Sequence, residues 1–167
     1  MRVAIVSDIH DDIVHLRAAL ARLGDVDELI CLGDLCSPFV MKEIGAGFSK
    51  PIHVVFGNND GDRYRIAEVA AKYPHVRIHG EYVDLDIDGK KFSVNHFDNI
   101  GRAIAAGGHY DVVCYGHTHG FRAEKKGRTT VVNPGELFGV LTGESTFAIY
   151  DTREDKVERV DVFPKKK

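Results

Sequence analysis

The chain opens with Val3 to Val6, an unbroken apolar run of the kind that forms a strand buried on both faces. Ile13, Leu16, Leu20 and Leu23 then recur at helical spacing, with Asp11 or Asp12 as cap and Gly24 as stop. Leu29 to Leu32 predicts a second strand, and residues 38 to about 46 a short helix closed by Gly45 and Gly47. Ile52 to Phe56 predicts a third strand, followed by a helix from about Asp62 to Lys72 that stops at Tyr73-Pro74. This βαβαβα rhythm predicts a parallel sheet with helices on its faces.

The texture then changes. Val83, Leu85 and Ile87 alternate with Asp84, Asp86 and Asp88, and Lys91 to Asn95 returns after Asp88-Gly89, which predicts a hairpin. A short helix near 99–106 and a strand at Asp111 to Tyr115 follow. Runs near 129–133, 145–150 and 156–162 read as antiparallel strands, so the second half predicts a β-rich sheet packed against the first. With no internal repeat or linker, residues 1–167 are expected to form one domain, ending in a solvated tail, Lys165 to Lys167.

Composition narrows the function. A chain of 167 residues, 44% of them hydrophobic, can build an ordinary core without disulfides or a structural metal. The formal charge of -3 argues against a nucleic-acid binder that works by broad phosphate neutralisation, yet leaves room for a small phosphorylated substrate beside a bound cation. Cys31, Cys36 and Cys114 form no CxxC and read as reduced thiols of a cytoplasmic protein. No run approaches a membrane span or a signal-peptide core.

Candidate chemistry sits just past the ends of the apolar runs, where open α/β sheets collect ligands. Ser7-Asp8-Ile9-His10, Gly33-Asp34, Gly57-Asn58, Asn95-His96 and Gly116-His117-Thr118-His119 each end a run with a chelating side chain. In extended backbone, residues two apart point the same way, so Asp8 and His10 can aim at one point, as can His117 and His119. The glycines before Asp34, Asn58 and His117 allow sharp turns and close approach. Imidazole, carboxylate and amide donors without cysteine suit Mn, Ni, Fe, Zn or Mg, manganese foremost. Seven donors exceed the needs of one tetrahedral ion, and two ions sharing a carboxylate fit the count.

Asp8-x-His10, Gly33-Asp34, Gly57-Asn58-x-Asp60, His96 and Gly116-His117-Thr118-His119 resemble the calcineurin-like metallophosphoesterases, closest to the small, cap-less YfcE-like branch. The resemblance implies a four-layer α/β/β/α sandwich of two facing mixed sheets flanked by helices. It implies that Asp8, His10 and His119 hold one metal, that Asn58, His96 and His117 hold the other, and that Asp34 bridges. It further implies a phosphodiesterase that hydrolyses a P–O bond by attack of a metal-bridging hydroxide, and a homo-dimer or tetramer, which relatives of this size often form. A phosphomonoesterase or nuclease on the same site, or a weak Vps29-like scaffold, are the alternatives.

Two positions depart from the family pattern. Asn59 stands where many relatives carry a histidine that assists the leaving group, and an amide cannot deliver a proton at neutral pH. Asn59 and Asp60 are therefore candidate catalytic-loop residues, Asp60 as an acceptor for the loop's amides. Glu136 stands at the serine position of Asn-Pro-Gly-Ser, and either lines the pocket, disfavouring dianionic phosphate, or points to solvent.

Overall fold

The computed structural model describes residues 1–163 and contains, among them, eleven strands and four helices. The expected lysine tail, Lys165 to Lys167, lies outside the described residues. The first half alternates as read: β1 (Arg2–Val6), α1 (Ile13–Leu20), β2 (Glu28–Cys31), α2 (Pro38–Gly47), β3 (Ile52–Val54) and α3 (Arg63–Ala70). A short β4 (Val76–Ile78) follows, which the sequence pattern did not announce. The second half comprises β5 (Tyr82–Ile87), β6 (Lys90–Asn95), α4 (Asp98–Gly107), β7 (Val112–Cys114), β8 (Phe121–Lys126), β9 (Thr129–Pro134), β10 (Thr146–Asp151) and β11 (Lys156–Asp161).

One sheet runs β11-β10-β1-β2-β3-β4 and the other β5-β6-β7-β9-β8, both mixed. Val3, Ile5 and Ile30 of the first sheet, with Leu32 just past the end of β2, meet Phe92, Val94, Val112 and Val132 of the second in a shared core. The opposite face of the first sheet, with Ala4, Val6, Leu29 and Cys31, packs on Leu16 of α1, Val40 and Ile44 of α2 and Ile66 of α3. On the outer face of the second sheet, Val113, Tyr115 and Val131 pack on Ala105 of α4. The result is the expected α/β/β/α sandwich. β1 reads as a continuous apolar run because both of its faces are covered.

The structure corrects the reading of the last strands. β10 and β11 do not extend the second sheet but join the first, with β10 antiparallel to β1 through pairs such as Val3↔Tyr150 and Ile5↔Ala148. Phe147 and Ile149 face the helices while Ala148 and Tyr150 face the inter-sheet core, so β10 needs cover on both sides and finds it beside β1. β9 pairs parallel with β7 on one side and antiparallel with the edge strand β8 on the other, so its expected antiparallel pairing holds on one side only. β8 escaped the sequence because Arg122 to Lys126 are all exposed and carry no alternation.

Local signals hold with small shifts. Asp12, not Asp11, caps α1 by accepting from the His15 amide at 2.9 Å. α1 ends at Leu20, ahead of Gly24, in tight turns that close on Ala19 and Leu20 carbonyls. Asp88 and Gly89 both adopt positive φ, as the two-residue hairpin turn between β5 and β6 requires.

Three parallel strands, β1, β2 and β3, end on one edge, and β6 and β7 end beside them. Gly33, at φ +97, carries the chain past the end of β2, where an added Cβ would run into the Gly57 backbone. Gly57 and Gly116 do not need positive φ; they need space, since a Cβ there would strike Asp34 Oδ1 and Ser7 Oγ respectively. Gly33→Ala is therefore expected to lower the stability of the metal-free protein by on the order of 2–4 kcal/mol in urea unfolding. Gly127→Ala, also at positive φ but with open space around it, should cost only about 1 kcal/mol. Equal losses would show that the close approach of the two glycine loops carries no energy of its own.

Candidate metal centre

The loop after β1 does not present Asp8 and His10 on extended backbone. Asp8, His10, Asp34, His117 and His119 all adopt left-handed geometry, with φ of 52, 44, 53, 66 and 62°. The amides of Ile9 and His10 both donate to the Asp34 carbonyl, at 3.0 and 2.9 Å, so the first loop curls around the second. Asp8 and His10 still converge, but through this curl and not through strand alternation. Five non-glycine residues in a strained region mark a segment held in place by its surroundings.

The expectation that His117 and His119 aim at one point gives way. His119 Nε2 lies 3.5 Å from Asp8 Oδ1, and its ring stacks on His10 with centroids 5.2 Å apart. His117 instead meets His96 edge to face, with centroids 5.2 Å apart. The two left-handed residues turn the histidines to opposite sides.

Two donor clusters result: Asp8, His10 and His119, and Asp8, Asp34 and His96, each with ligand atoms within 4.8 Å of one another. Asn58 adds an oxygen to the second, its Oδ1 lying 3.1 Å from His96 Nε2. Asp34 Oδ2 lies 3.6 Å from His10 Nε2 and 3.5 Å from His96 Nε2, between the clusters. Asp8 Oδ1 faces the first cluster, while its Oδ2 accepts the His117 amide at 3.1 Å.

The donors fit a cation better than they fit one another. Asp8 Oδ1 and His10 Nε2 are buried without a hydrogen-bond partner, and they stand 3.8 Å apart. Two atoms each roughly 2.1 Å from one ion would stand about 3–3.5 Å apart, so a small inward movement closes the site. Among the described residues, the ion-pair partners of buried Asp8, Asp34 and Glu136 are histidines, with neither lysine nor arginine among them. Buried carboxylates left so weakly compensated cost several kcal/mol each, which positive charge in the site would offset.

The electrostatics run the same way. The Asp8 carboxylate holds the pKa of His10 above its ordinary value against the effect of burial, with Asp34 assisting. For His96, burial pulls downward, but Asp34 and Asp8 win and the pKa is raised. For Asp34, burial pulls upward, yet hydrogen bonding with His96 and Asn59 holds it well below the usual carboxylate range. Cys36, whose Sγ lies 3.6 Å from His10 Nδ1, is pushed up to about 12, chiefly by burial and then by Asp11 and Asp34.

The surrounding residues fix these side chains. Asp60 is buried and accepts from four amides, those of Gly57, Asp34, Leu35 and Cys36, at 2.6 to 3.0 Å. Asn59 grips Asp34 twice, from its amide to Oδ1 at 2.8 Å and from Nδ2 to Oδ2 at 2.7 Å. His96 Nδ1 donates to the Leu32 carbonyl at 2.8 Å.

Glu136 overturns both expectations made for it. It neither lines an open pocket nor meets solvent: it is fully buried and accepts from His119 Nδ1 at 2.7 Å. Only its place in the Asn-Pro-Gly motif hinted at this, because packing behind a histidine has no sequence period. Sequence also passed over Asn133, whose buried Nδ2 ties the Gly116 carbonyl to Thr118 Oγ1, and Phe138, whose ring lies 5.4 Å from that of His10.

Comparison with known proteins agrees with this geometry. Residues 1–155 match the model of the calcineurin-like phosphoesterase superfamily domain. Phosphodiesterase MJ0936 of Methanocaldococcus jannaschii is 34% identical over 164 residues, covering 96% of this chain and 98% of that protein. The structure of an archaeal phosphodiesterase superimposes with a TM-score of 0.90 at 33% identity, over 96% of this chain and 99% of the other. The YfcE phosphoesterase of E. coli shares the fold alone, with a TM-score of 0.68 at 18% identity over 98% and 100% of the two chains. The chain belongs to the calcineurin-like phosphoesterase superfamily.

Proposed function

We propose that the chain is a binuclear-metal-dependent phosphodiesterase. Its kinship to a phosphodiesterase and its paired donor clusters support a metal-dependent phosphoesterase, and the position of Asp34 carries the binuclear reading. A carboxylate oxygen 3.6 and 3.5 Å from imidazole nitrogens of two separate groups is placed to be shared. On this reading Asp8, His10 and His119 hold one ion, Asn58, His96 and His117 hold the other, and Asp34 serves both. Imidazole, carboxylate and amide donors without a thiolate suit Mn, Ni, Fe, Zn or Mg, and manganese is the ion taken for the tests below.

When bound, two divalent cations supply an activated water near neutral pH and stabilise charge on phosphoryl oxygens. The protein's own residues supply position. Asp60 ties the 57–60 turn to the 34–36 loop, accepting from the Gly57 amide on one side and from the Asp34, Leu35 and Cys36 amides on the other, and Asn59 of that turn donates to Asp34 while Asn58 lies beside His96. Asn59 Nδ2 can donate a hydrogen bond at the site but has no proton to transfer to a departing alkoxide. The departing group must therefore be a good one, such as an aryl oxide, or be protonated by solvent.

Protein stripped by chelator should lose hydrolysis of bis(p-nitrophenyl) phosphate and regain it with Mn²⁺, while p-nitrophenyl phosphate is cleaved more slowly. Preference for the monoester would move the assignment to a phosphomonoesterase, and no turnover with any divalent ion would end the enzymatic reading. Asn59→His should raise turnover of alkyl-leaving-group diesters by about 10²-fold, while aryl diesters change far less. A uniform change across both series would show that Asn59 acts only through Asp34.

Metal uptake should also depend on pH with a fixed sign. His10 and His96 hold protons, in the metal-free protein, at a pH where an ordinary histidine of pKa 6.5 has lost them. Mn²⁺ must displace those protons, so its affinity should rise with pH through and beyond 6.5, and loading should release protons to buffer. Calorimetry in buffers of different ionisation enthalpy measures both effects. An affinity that is flat over about pH 6–8 would contradict the assignment of these imidazoles as ligands.

A further inference from the structure

We propose that Glu136 is the positioning residue of the Asp8, His10 and His119 cluster: its buried carboxylate locks His119 with Nε2 turned to the cation and clamps the 137–145 segment over the same cluster. This rests on the binuclear centre proposed above but not on its substrate. A carboxylate only accepts, so the 2.7 Å contact from His119 Nδ1 to Glu136 Oε2 makes Nδ1 the N–H nitrogen. The Nε2 lone pair is thereby left facing Asp8 Oδ1, 3.5 Å away.

The other carboxylate oxygen holds the loop. Glu136 Oε1 accepts from the Thr142 amide at 2.7 Å and from its hydroxyl at 2.8 Å. The same segment is sewn to the β1 loop where it begins, since Leu137 and Phe138 donate to the Ser7 and Asp8 carbonyls, each at 3.1 Å. Phe138 then rests on the His10 ring, with centroids 5.4 Å apart. Glu136 is the side chain that joins the middle of this segment to a metal-facing imidazole.

The two clusters differ in what stands behind their histidines. His119 has a charged carboxylate behind it, and His96 has the neutral Leu32 carbonyl. A carboxylate behind a ligating histidine raises the basicity of the ligand and fixes its ring, and losing such a partner typically costs 10–100-fold in metal affinity. The cluster backed by Glu136 should therefore be the tighter of the two, and only that cluster should depend on Glu136.

Mn²⁺ titration of chelator-stripped protein by calorimetry tests this. In Glu136→Gln the tighter binding event should weaken about 10–100-fold while the other stays within about 3-fold of wild type. His119→Ala and the His119→Ala, Glu136→Gln double variant should bind their remaining Mn²⁺ alike, because the carboxylate then has no ligand to position. Thr142→Val, which removes one of the three bonds to the carboxylate, should weaken the same event by a smaller factor. It serves in place of Glu136→Gln should that protein not fold. Equal weakening of both events, no weakening of either, or a further loss in the double variant would overturn the proposal. Diester turnover measured on the same samples separates the two claims: selective weakening without diester cleavage would remove the substrate reading and leave Glu136 in its role. A wild-type protein that takes up no Mn²⁺ would overturn both.

Discussion

Asp34 Oδ2 stands within 3.6 Å of His10 Nε2 and 3.5 Å of His96 Nε2, and the rest of the site is arranged around that oxygen. His10 arrives from the end of β1 in one sheet and His96 from the end of β6 in the other, so this carboxylate lies on the seam between the sheets. It reaches that position because Gly33 turns left-handed and passes against Gly57 without a side chain on either. Asp60 then pins the turn by taking the Asp34, Leu35 and Cys36 amides. Backbone close approach, not side-chain packing, is what places the carboxylate.

That arrangement stores a debt of negative charge. Asp8, Asp34 and Glu136 are each at most 1% exposed, and histidines are their ion-pair partners among the described residues. Folding tolerates this because backbone amides, Asn59 and Thr142 share the load. Divalent cations would relieve it further, so metal uptake and the integrity of the strand ends should be linked. The left-handed backbone at Asp8, His10, Asp34, His117 and His119 belongs to the same economy: strain that the surrounding hydrogen bonds hold in place for the site's benefit.

Much of this was legible from residue order. The apolar runs of β1 and β2 announced themselves because their residues after Arg2 and Glu28 are buried on both faces and apolar throughout, and β3 did so despite the half-buried His53 at its centre. The candidate chelating residues stood out for a related reason: each follows a run directly, often after a glycine. β8 and β4 were not, since an exposed edge strand and a three-residue strand carry no period. Nor was the sheet to which β10 belongs, because pairing across more than a hundred residues depends on which edge remains open beside β1.

The sequence by itself determined which residues could bind an ion, the alternation of elements in the first half, and the glycines that those turns demand. These are local properties, written in side-chain chemistry and in spacing along a few residues. The tertiary structure decided that His117 and His119 part company, that Asp8 and His10 meet through a left-handed curl, and that Glu136 lies buried behind His119. Each of those outcomes depends on where a distant segment comes to rest, and the positive-φ residues that set the directions are not distinguishable by type from the same residues in extended chain.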